Sequence, residues 1–327
     1  MVRRLLHRTE ALPIRGAFAI SRGSRTETVV VVVEITADGR TGRGECVPYA
    51  RYGETPASVG AQIDAAAEAV NAGADRAALQ ALMQAGAARN AVDCALWDLE
   101  AKLAGRRAWD LAGITMPERI TTAYTLSLDT PEAMAAAARD AASRPVLKLK
   151  LDGTADIERV AAVREAAPGA TLIVDANEGW RPDQLRLLMS AMADLGVALI
   201  EQPLPAADDG ALERIERPVP VCADESFHDR ASLAQVADRY DFVNVKLDKT
   251  GGLTEALAVA DEAGARGLGL MVGCMLASSL SMAPATLVAA RARFVDLDGP
   301  LLLARDRDPG IDYRGSDLAP PPAALWG

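Results

Sequence analysis

VLKLKL at 146–151, TLIVDA at 171–176, VALIE at 197–201, PVCAD at 220–224 and FVNVK at 242–246 are short apolar runs, each carrying a charged residue at or next to its end. Those residues, Lys150, Asp175, Glu201, Asp224 and Lys246, are spaced by 25, 26, 23 and 22 positions, the length of one strand and one return helix. A parallel strand is covered on both faces and therefore reads as nearly unbroken apolar sequence, and its crossover needs a dozen or more residues. Working outward, ITTAYTL at 120–126 precedes the five, while LGLMVG at 268–273 and RFVDLD at 293–298 follow them. Eight such units in succession predict an α/β protein built on a (β/α)8-type barrel. The doubly wound alternative would carry a G-x-G-x-x-G phosphate turn after its first strand, and the chain has none.

The first hundred residues have a different character. An extended segment, Arg3 to Arg8, leads to a loop holding Arg22, Gly23, Ser24 and Arg25, then to the β-branched run Thr28 to Thr36. Asp38-Gly39 is a hairpin turn signal before Thr41 to Cys46, which predicts a small antiparallel sheet. Pro56 to Ala72, Arg76 to Gln84 and Ala87 to Lys102 have helical spacing and strong helix formers. We divide the chain into an α+β domain over 1–117, a barrel over 118–298 and a Pro-rich segment over 299–327 that returns to the first domain.

The 327 residues carry a net charge of −10, are 50% hydrophobic and only 4% aromatic. Such a chain buries a large core without staples. With no basic block to meet phosphates, it is a poor ligand for nucleic acid or an anionic bilayer, which leaves small-molecule chemistry. Cys46, Cys94, Cys222 and Cys274 are far apart, with no C-x-x-C pair, as in a reduced cytoplasmic protein. Residues 1–20 read as no signal peptide. The runs Val29 to Val33 and Leu268 to Leu276 fall far short of the roughly 20 residues that span a bilayer. Both read as buried strands.

Ionisable residues in barrel strands are expensive unless they are paired, metal-bound or at the open mouth. Lys148 and Lys150 share one face of their strand, and the leucines between them face the other way. A half-exposed strand with solvated lysines is one reading and an inward-facing pair is the other. Asp175, Glu201 and Asp224 each end a strand on the side where barrel active sites are built. Three converging carboxylates repel one another, so a divalent cation is expected among them, and oxygen-only donors favour Mg2+. The competing reading makes each an ordinary helix N-cap. Lys246 ends the next strand, across the mouth from Lys148 and Lys150, an arrangement suited to moving a proton between two faces of a carbon. A lysine base needs a lowered pKa, which a neighbouring ammonium and the cation would both promote. Asp296 and Asp298 alternate with apolar residues; they either bind a cationic substrate group or cap the segment before Gly299-Pro300. His7 and His228 match no ligand or triad spacing and read as surface or packing residues.

A K-x-K pair, then Asp, Glu, Asp and Lys on successive strands, resembles the muconate-lactonizing subgroup of the enolase superfamily. SRGSRTE, GECVPYARYGE, AGAARNAVDCALWDL, VDANEGW, EQPLP, ADES, VKLDKTGGLTEAL, GCMLASS and DLDGP resemble more narrowly its dipeptide epimerases acting on L-Ala-D/L-Glu. The resemblance covers nearly the whole chain. It implies a modified (β/α)7β TIM barrel with an N-terminal α+β capping domain. Asp175, Glu201 and Asp224 would ligate Mg2+, and Lys150 and Lys246 would form the acid/base pair acting through an enediolate. Lys148 would polarise the substrate carboxylate and hold down the pKa of Lys150. Asp296 and Asp298 would hold the dipeptide's ammonium, Arg25 would pair with its acidic side chain, and Thr125, Cys274 and Leu276, the last two on the penultimate strand, would touch substrate. Ala277 would tune specificity. Loops at Arg25 and at Tyr49 to Tyr52 would select the dipeptide, with Gly23 and Gly53 as lid hinges. The implied role is epimerisation in cell-wall peptide recycling; a homo-oligomer is compatible with it.

Three other readings use the same residues. A cycloisomerase or o-succinylbenzoate synthase would keep the site, but its anionic substrates offer no ammonium to Asp296 and Asp298. A Schiff-base lyase leaves the carboxylate triad without a task. A catalytically silent binding protein would have no need of two opposed lysines.

Overall fold

The computed structural model describes residues 3–21 and 23–327; Arg22, in the SRGSRTE segment, lies outside the described residues, as do residues 1 and 2. The chain begins with an antiparallel sheet of β1 (Arg4–Ile20), β2 (Gly23–Ala37) and β3 (Arg40–Cys46). β1 is far longer than the expected Arg3 to Arg8, because its backbone pairs along β2 from Arg4 opposite Thr36 to Ile20 opposite Gly23. Polar composition hid it: most of β1 is exposed or half-exposed. Asp38 and Gly39 have φ of 48° and 71°, the left-handed pair that a two-residue hairpin turn requires.

Behind this sheet lie α1 (Pro56–Asn71), α2 (Arg76–Leu82), α3 (Ala87–Ala104) and the short α4 (Ala108–Leu111). Thr55 caps α1 and exchanges hydrogen bonds with Ser58, and Asp75 caps α2. α3 lies directly on β3. A Cβ on Gly44 would fall 2.0 Å from the Ala91 carbonyl oxygen, and one on Gly42 would fall 2.2 Å from that of Ala95. Only glycine allows this approach.

Next come β4 (Ile120–Thr121), β5 (Tyr124–Leu126), α5 (Pro131–Asp140), β6 (Val146–Lys150), α6 (Asp156–Ala166), β7 (Thr171–Asp175), α7 (Leu185–Asp194) and β8 (Val197–Glu201). A 3-10 segment, Asp209–Arg214, leads to β9 (Val221–Ala223), α8 (Arg230–Val236), β10 (Phe242–Val245), α9 (Leu247–Thr250) and α10 (Leu253–Ala265). The chain ends with β11 (Gly269–Gly273), α11 (Ser279–Ala289), β12 (Phe294–Asp296), α12 (Gly299–Leu302), β13 (Tyr313–Arg314) and β14 (Asp317–Leu318).

Strands β5 to β12 form one eight-stranded sheet in chain order. No topological switch point exists in that order, so the doubly wound alternative is excluded. The two ends of the sheet meet where the Ala123 N–H donates to the Val295 carbonyl at 2.8 Å and Leu297 N–H to Thr122 Oγ1 at 2.8 Å. ITTAYTL is therefore not one strand. Ile120 and Thr121 pair with β14 outside the barrel, and only Tyr124 to Leu126 enter it. The last two barrel runs also end early. β11 stops at Gly273, so Cys274 and Leu276 sit on the loop beyond it, and β12 stops at Asp296.

Inside the barrel, Ile173, Leu199, Cys222, Phe242 and Met271 form an apolar plug with Val146 and Phe294 packed against it. By strand alternation the next inward positions on β6 are Lys148 and Lys150. The plug therefore forms a floor for a polar layer. The tail returns across the first sheet: Arg43 donates to the carbonyls of Ala324 and Leu325 at 2.6 Å, and Trp326 Nε1 donates to Cys94 O at 3.0 Å. No helix among the described residues is long and apolar enough to cross a membrane.

Candidate functional site

Lys148, in the middle of β6, and Lys150, Asp175, Glu201, Asp224 and Lys246, at the carboxyl ends of their strands, are all buried. The half-exposed reading of β6 is thus excluded, since Lys148 is 0% exposed. Strand register places Lys150 beside Asp175 and Asp175 beside Glu201. Lys150 Nζ donates to Asp175 Oδ2 at 2.6 Å, and Lys246 Nζ to Asp224 Oδ2 at 2.6 Å. Lys148 Nζ lies 2.7 Å from Glu201 Oε2, 2.7 Å from Asp296 Oδ2 and 3.3 Å from Asp175 Oδ2.

None of the three strand-end carboxylates caps a helix. The helix after β7 begins nine residues past Asp175, at an N-cap, Gln184, that makes no side-chain cap bond. As they stand, the carboxylates turn to lysines, and no three acidic, His or Cys side chains among the described residues share a point where an ion could sit. The donor chemistry nevertheless fits a hard divalent cation: three fully buried carboxylates at consecutive strand ends. Glu201 Oε2 also lacks any partner in hydrogen-bond geometry despite the nearby ammonium.

Charge sets the pKa values in opposite directions. Burial opposes charge on Lys148, but Asp296, Glu201 and Asp175 outweigh it and hold the ammonium well above its ordinary value. Lys246 is likewise buried yet raised, chiefly by Asp224 and Glu201. At Lys246 these carboxylates outweigh both burial and the nearby Lys148 ammonium. Asp175, against its burial, is lowered to about 2 by Lys150 and Lys148. Glu201 is raised by burial and by Asp175.

Across the barrel seam, Asp296 and Asp298 converge on Thr125. The Thr125 N–H donates to Asp298 Oδ2 at 2.6 Å, and Thr125 Oγ1 reaches Asp296 Oδ1 at 3.5 Å. Asp298 occupies the N-cap position of α12 but makes no capping bond, so the capping alternative fails. Burial and Asp296 push its carboxyl up to about 7. Arg25, Cys274 and Leu276 line one cavity with Lys150, Asp224 and Lys246. Phe18, Tyr49 and Tyr52 of the first domain line it as well.

Both histidines lie outside this chemistry. His7 Nε2 meets Asp64 Oδ1 at 3.0 Å, and His228 packs edge-on to Tyr52 at 4.7 Å. Sequence reasoning passed over Asn244 and Lys249. Asn244 Nδ2 donates to Glu201 Oε1 at 2.7 Å, and Lys249 Nζ donates to Asp224 Oδ1 and to Asp224 O at 2.6 Å. The signal for Asn244 was available, a polar side chain at the inward position two before Lys246. Lys249 gave none, because it follows the strand.

The model for the mandelate racemase / muconate lactonizing enzyme N-terminal domain matches residues 3–113, and that for the enolase C-terminal domain-like fold matches residues 132–308. The L-Ala-D/L-Glu epimerase of Escherichia coli (strain K12) is 51% identical over 94% of this chain and 97% of that one. An enolase family member from Agrobacterium tumefaciens with homology to dipeptide epimerases, solved with bound sodium and L-Ala-L-Glu, superposes with a TM-score of 0.98 at 54% identity. That alignment covers 99% of this chain and 100% of the other. A dipeptide epimerase from Methylococcus capsulatus, complexed with Mg and L-Arg-D-Lys, gives a TM-score of 0.90 at 32% identity, over 98% of this chain and 97% of that one.

Proposed function

Because the chain belongs to the enolase superfamily and, within it, to the dipeptide epimerases, we propose that it inverts the α-carbon of the Glu residue in L-Ala-L-Glu and L-Ala-D-Glu. The observation that carries this reading is the placement of Lys150 and Lys246. Their strands, β6 and β10, are four apart in an eight-stranded barrel, hence on opposite walls, and both lysines line one cavity. One lysine takes the α-proton from one face and the other returns a proton to the opposite face.

An α-proton beside a carboxylate is weakly acidic, since its removal places a second negative charge on the same group. Mg2+ held by Asp175, Glu201 and Asp224 would supply the positive charge that stabilises this build-up. Lys148, buried among the carboxylates, orients and polarises the substrate carboxylate. Asp296 and Asp298 receive the free ammonium, Thr125 fixes the two acids, and Arg25 meets the Glu side chain. Cys274 and Leu276 contact the substrate from the loop after β11. Tyr49 and Tyr52 exclude water from the cavity.

Four free cysteines suit a reducing cytoplasm, where the activity would serve recycling of cell-wall peptides. Proton NMR of L-Ala-L-Glu with protein and Mg2+ in D2O tests the reading. The Glu α-proton should vanish as the L,D diastereomer appears. Exchange only in other dipeptides would overturn the substrate, and no exchange in any dipeptide would overturn epimerisation.

A further inference from the structure

The three strand-end carboxylates share a pattern that their chemistry does not require. Each has one oxygen turned to a buried barrel lysine and the other tied to a fixed donor elsewhere in the chain. Asp175 Oδ2 receives Lys150, while Oδ1 accepts the Asn177 N–H at 2.9 Å. Glu201 Oε2 faces Lys148, while Oε1 accepts Asn244 Nδ2 at 2.7 Å. Asp224 Oδ2 receives Lys246, while Oδ1 accepts Lys249 Nζ at 2.6 Å.

The fixed donors are not adjustable surface groups. Asn244 is 0% exposed, and its amide orientation is settled by chemistry, because only the NH2 can face a carboxylate. Its Oδ1 packs against the bare Gly273 backbone, where a Cβ would fall 2.6 Å away. The Lys249 ammonium is fully buried and also donates to the Asp224 backbone carbonyl at 2.6 Å, which fixes it independently of the carboxylate.

We infer that Asn244 and Lys249 are positioning residues that restrict Glu201 and Asp224 to one-oxygen ligation, and that this makes the site select a small six-coordinate cation over Ca2+. A carboxylate can chelate only with both oxygens available. Ca2+ takes six to eight oxygens and readily accepts chelating carboxylates, whereas Mg2+ demands near-octahedral geometry at short distances. Three one-oxygen ligands fill half an octahedron and leave three positions for the substrate carboxylate and water. The inference rests on the proposed metal role of Asp175, Glu201 and Asp224.

The test is Mn2+ binding to the full chain by electron paramagnetic resonance, with displacement by Mg2+ and separately by Ca2+, for the wild type and for Asn244→Ser and Lys249→Met. Wild type should release Mn2+ to Mg2+ at lower concentration than to Ca2+. Each variant should bind Mg2+ about 10- to 100-fold more weakly while Ca2+ loses less, so the preference collapses. Gly273→Ala, which crowds Asn244 without removing it, should move the ratio the same way and stands in if Asn244→Ser does not fold. Unchanged Mg2+ affinity, or equal loss for both cations, in folded variants would overturn the inference and leave the proposed function standing. Absence of Mn2+ and Mg2+ binding in the wild type would overturn the metal reading itself, and this inference with it.

Discussion

Lys148 is the residue whose position least resembles its chemistry, an ammonium with no exposed surface above a layer of leucine, isoleucine and phenylalanine. It is tolerable because three acids surround it, and removing it would leave them buried with one counter-charge fewer. The opposed pair is more separable. Lys150→Ala and Lys246→Ala should each lower epimerisation about 1000-fold. Each should still exchange the α-proton of one diastereomer in D2O without inverting it, which NMR on the two pure diastereomers will show. Full inversion by either variant would remove the two-base assignment. Asp298→Asn should raise KM for L-Ala-L-Glu about 10-fold or more, the loss expected for a hydrogen bond to a charged group. The N-acetylated dipeptide, which has no ammonium, should not respond to it, and steady-state kinetics on both substrates separates the cases.

At the scale of the elements, β3 and α3 are matched by two glycines, and Gly44→Ala should destabilise the protein by ~3 kcal/mol through overpacking against the α3 backbone, measurable by urea unfolding. α3 also joins the barrel. Asn90 Nδ2 donates to Asp248 Oδ1 at 2.8 Å, and the Val47 N–H donates to the same oxygen at 3.1 Å, fixing the turn just beyond Lys246. Burial pushes the Asp248 carboxyl up to about 7. The folded state therefore holds this proton more tightly than the unfolded chain, whose value is about 4. The stability linked to it is complete below about pH 4 and is lost as pH rises through 7. Asp248→Asn, neutral throughout, should raise Tm by roughly 2–4 °C at pH 8 and change it little at pH 4, read by calorimetry. Element boundaries were least legible where two partners competed for one stretch. ITTAYTL looks like one strand, but Ile120-Thr121 finds backbone partners in a strand nearly two hundred residues away, and no local pattern encodes that choice.

In the whole molecule, cap, barrel and tail are joined through buried contacts. Trp326 is fully buried and bonds α3, the Gly327 N–H donates to Asp98 Oδ1 at 2.7 Å, and Arg107 Nε donates to the Gly327 carbonyl. A second junction ties β3 to the barrel and the tail: Glu45 accepts from Ser278 N–H at 2.9 Å and pairs with Arg307 at 2.5 Å. This junction anchors the far end of the loop that bears Cys274 and Leu276. Trp326→Ala should cost about 3–5 kcal/mol. Because the contact spans the parts, far-UV circular dichroism and tryptophan fluorescence should still follow one coincident, earlier transition. Loss of the cap alone, with the barrel intact at higher denaturant, would contradict that coupling.

The barrel, its number of strands and the placement of three acids and two lysines, Lys150 and Lys246, at the strand ends were determined by sequence alone. A strand's alternation and a βα unit's length are local properties, written within some 25 residues. Tertiary structure alone decided the rest: that β1 runs to Ile20, that Asp296 and Asp298 meet Thr125 across the seam, and that Asn244 and Lys249 each take one carboxylate oxygen. Those relations depend on sheet register and on closing the barrel, which join residues far apart in the chain. Closure likewise surrounds Lys148 and Lys246 with enough negative charge to hold both ammoniums above their ordinary values.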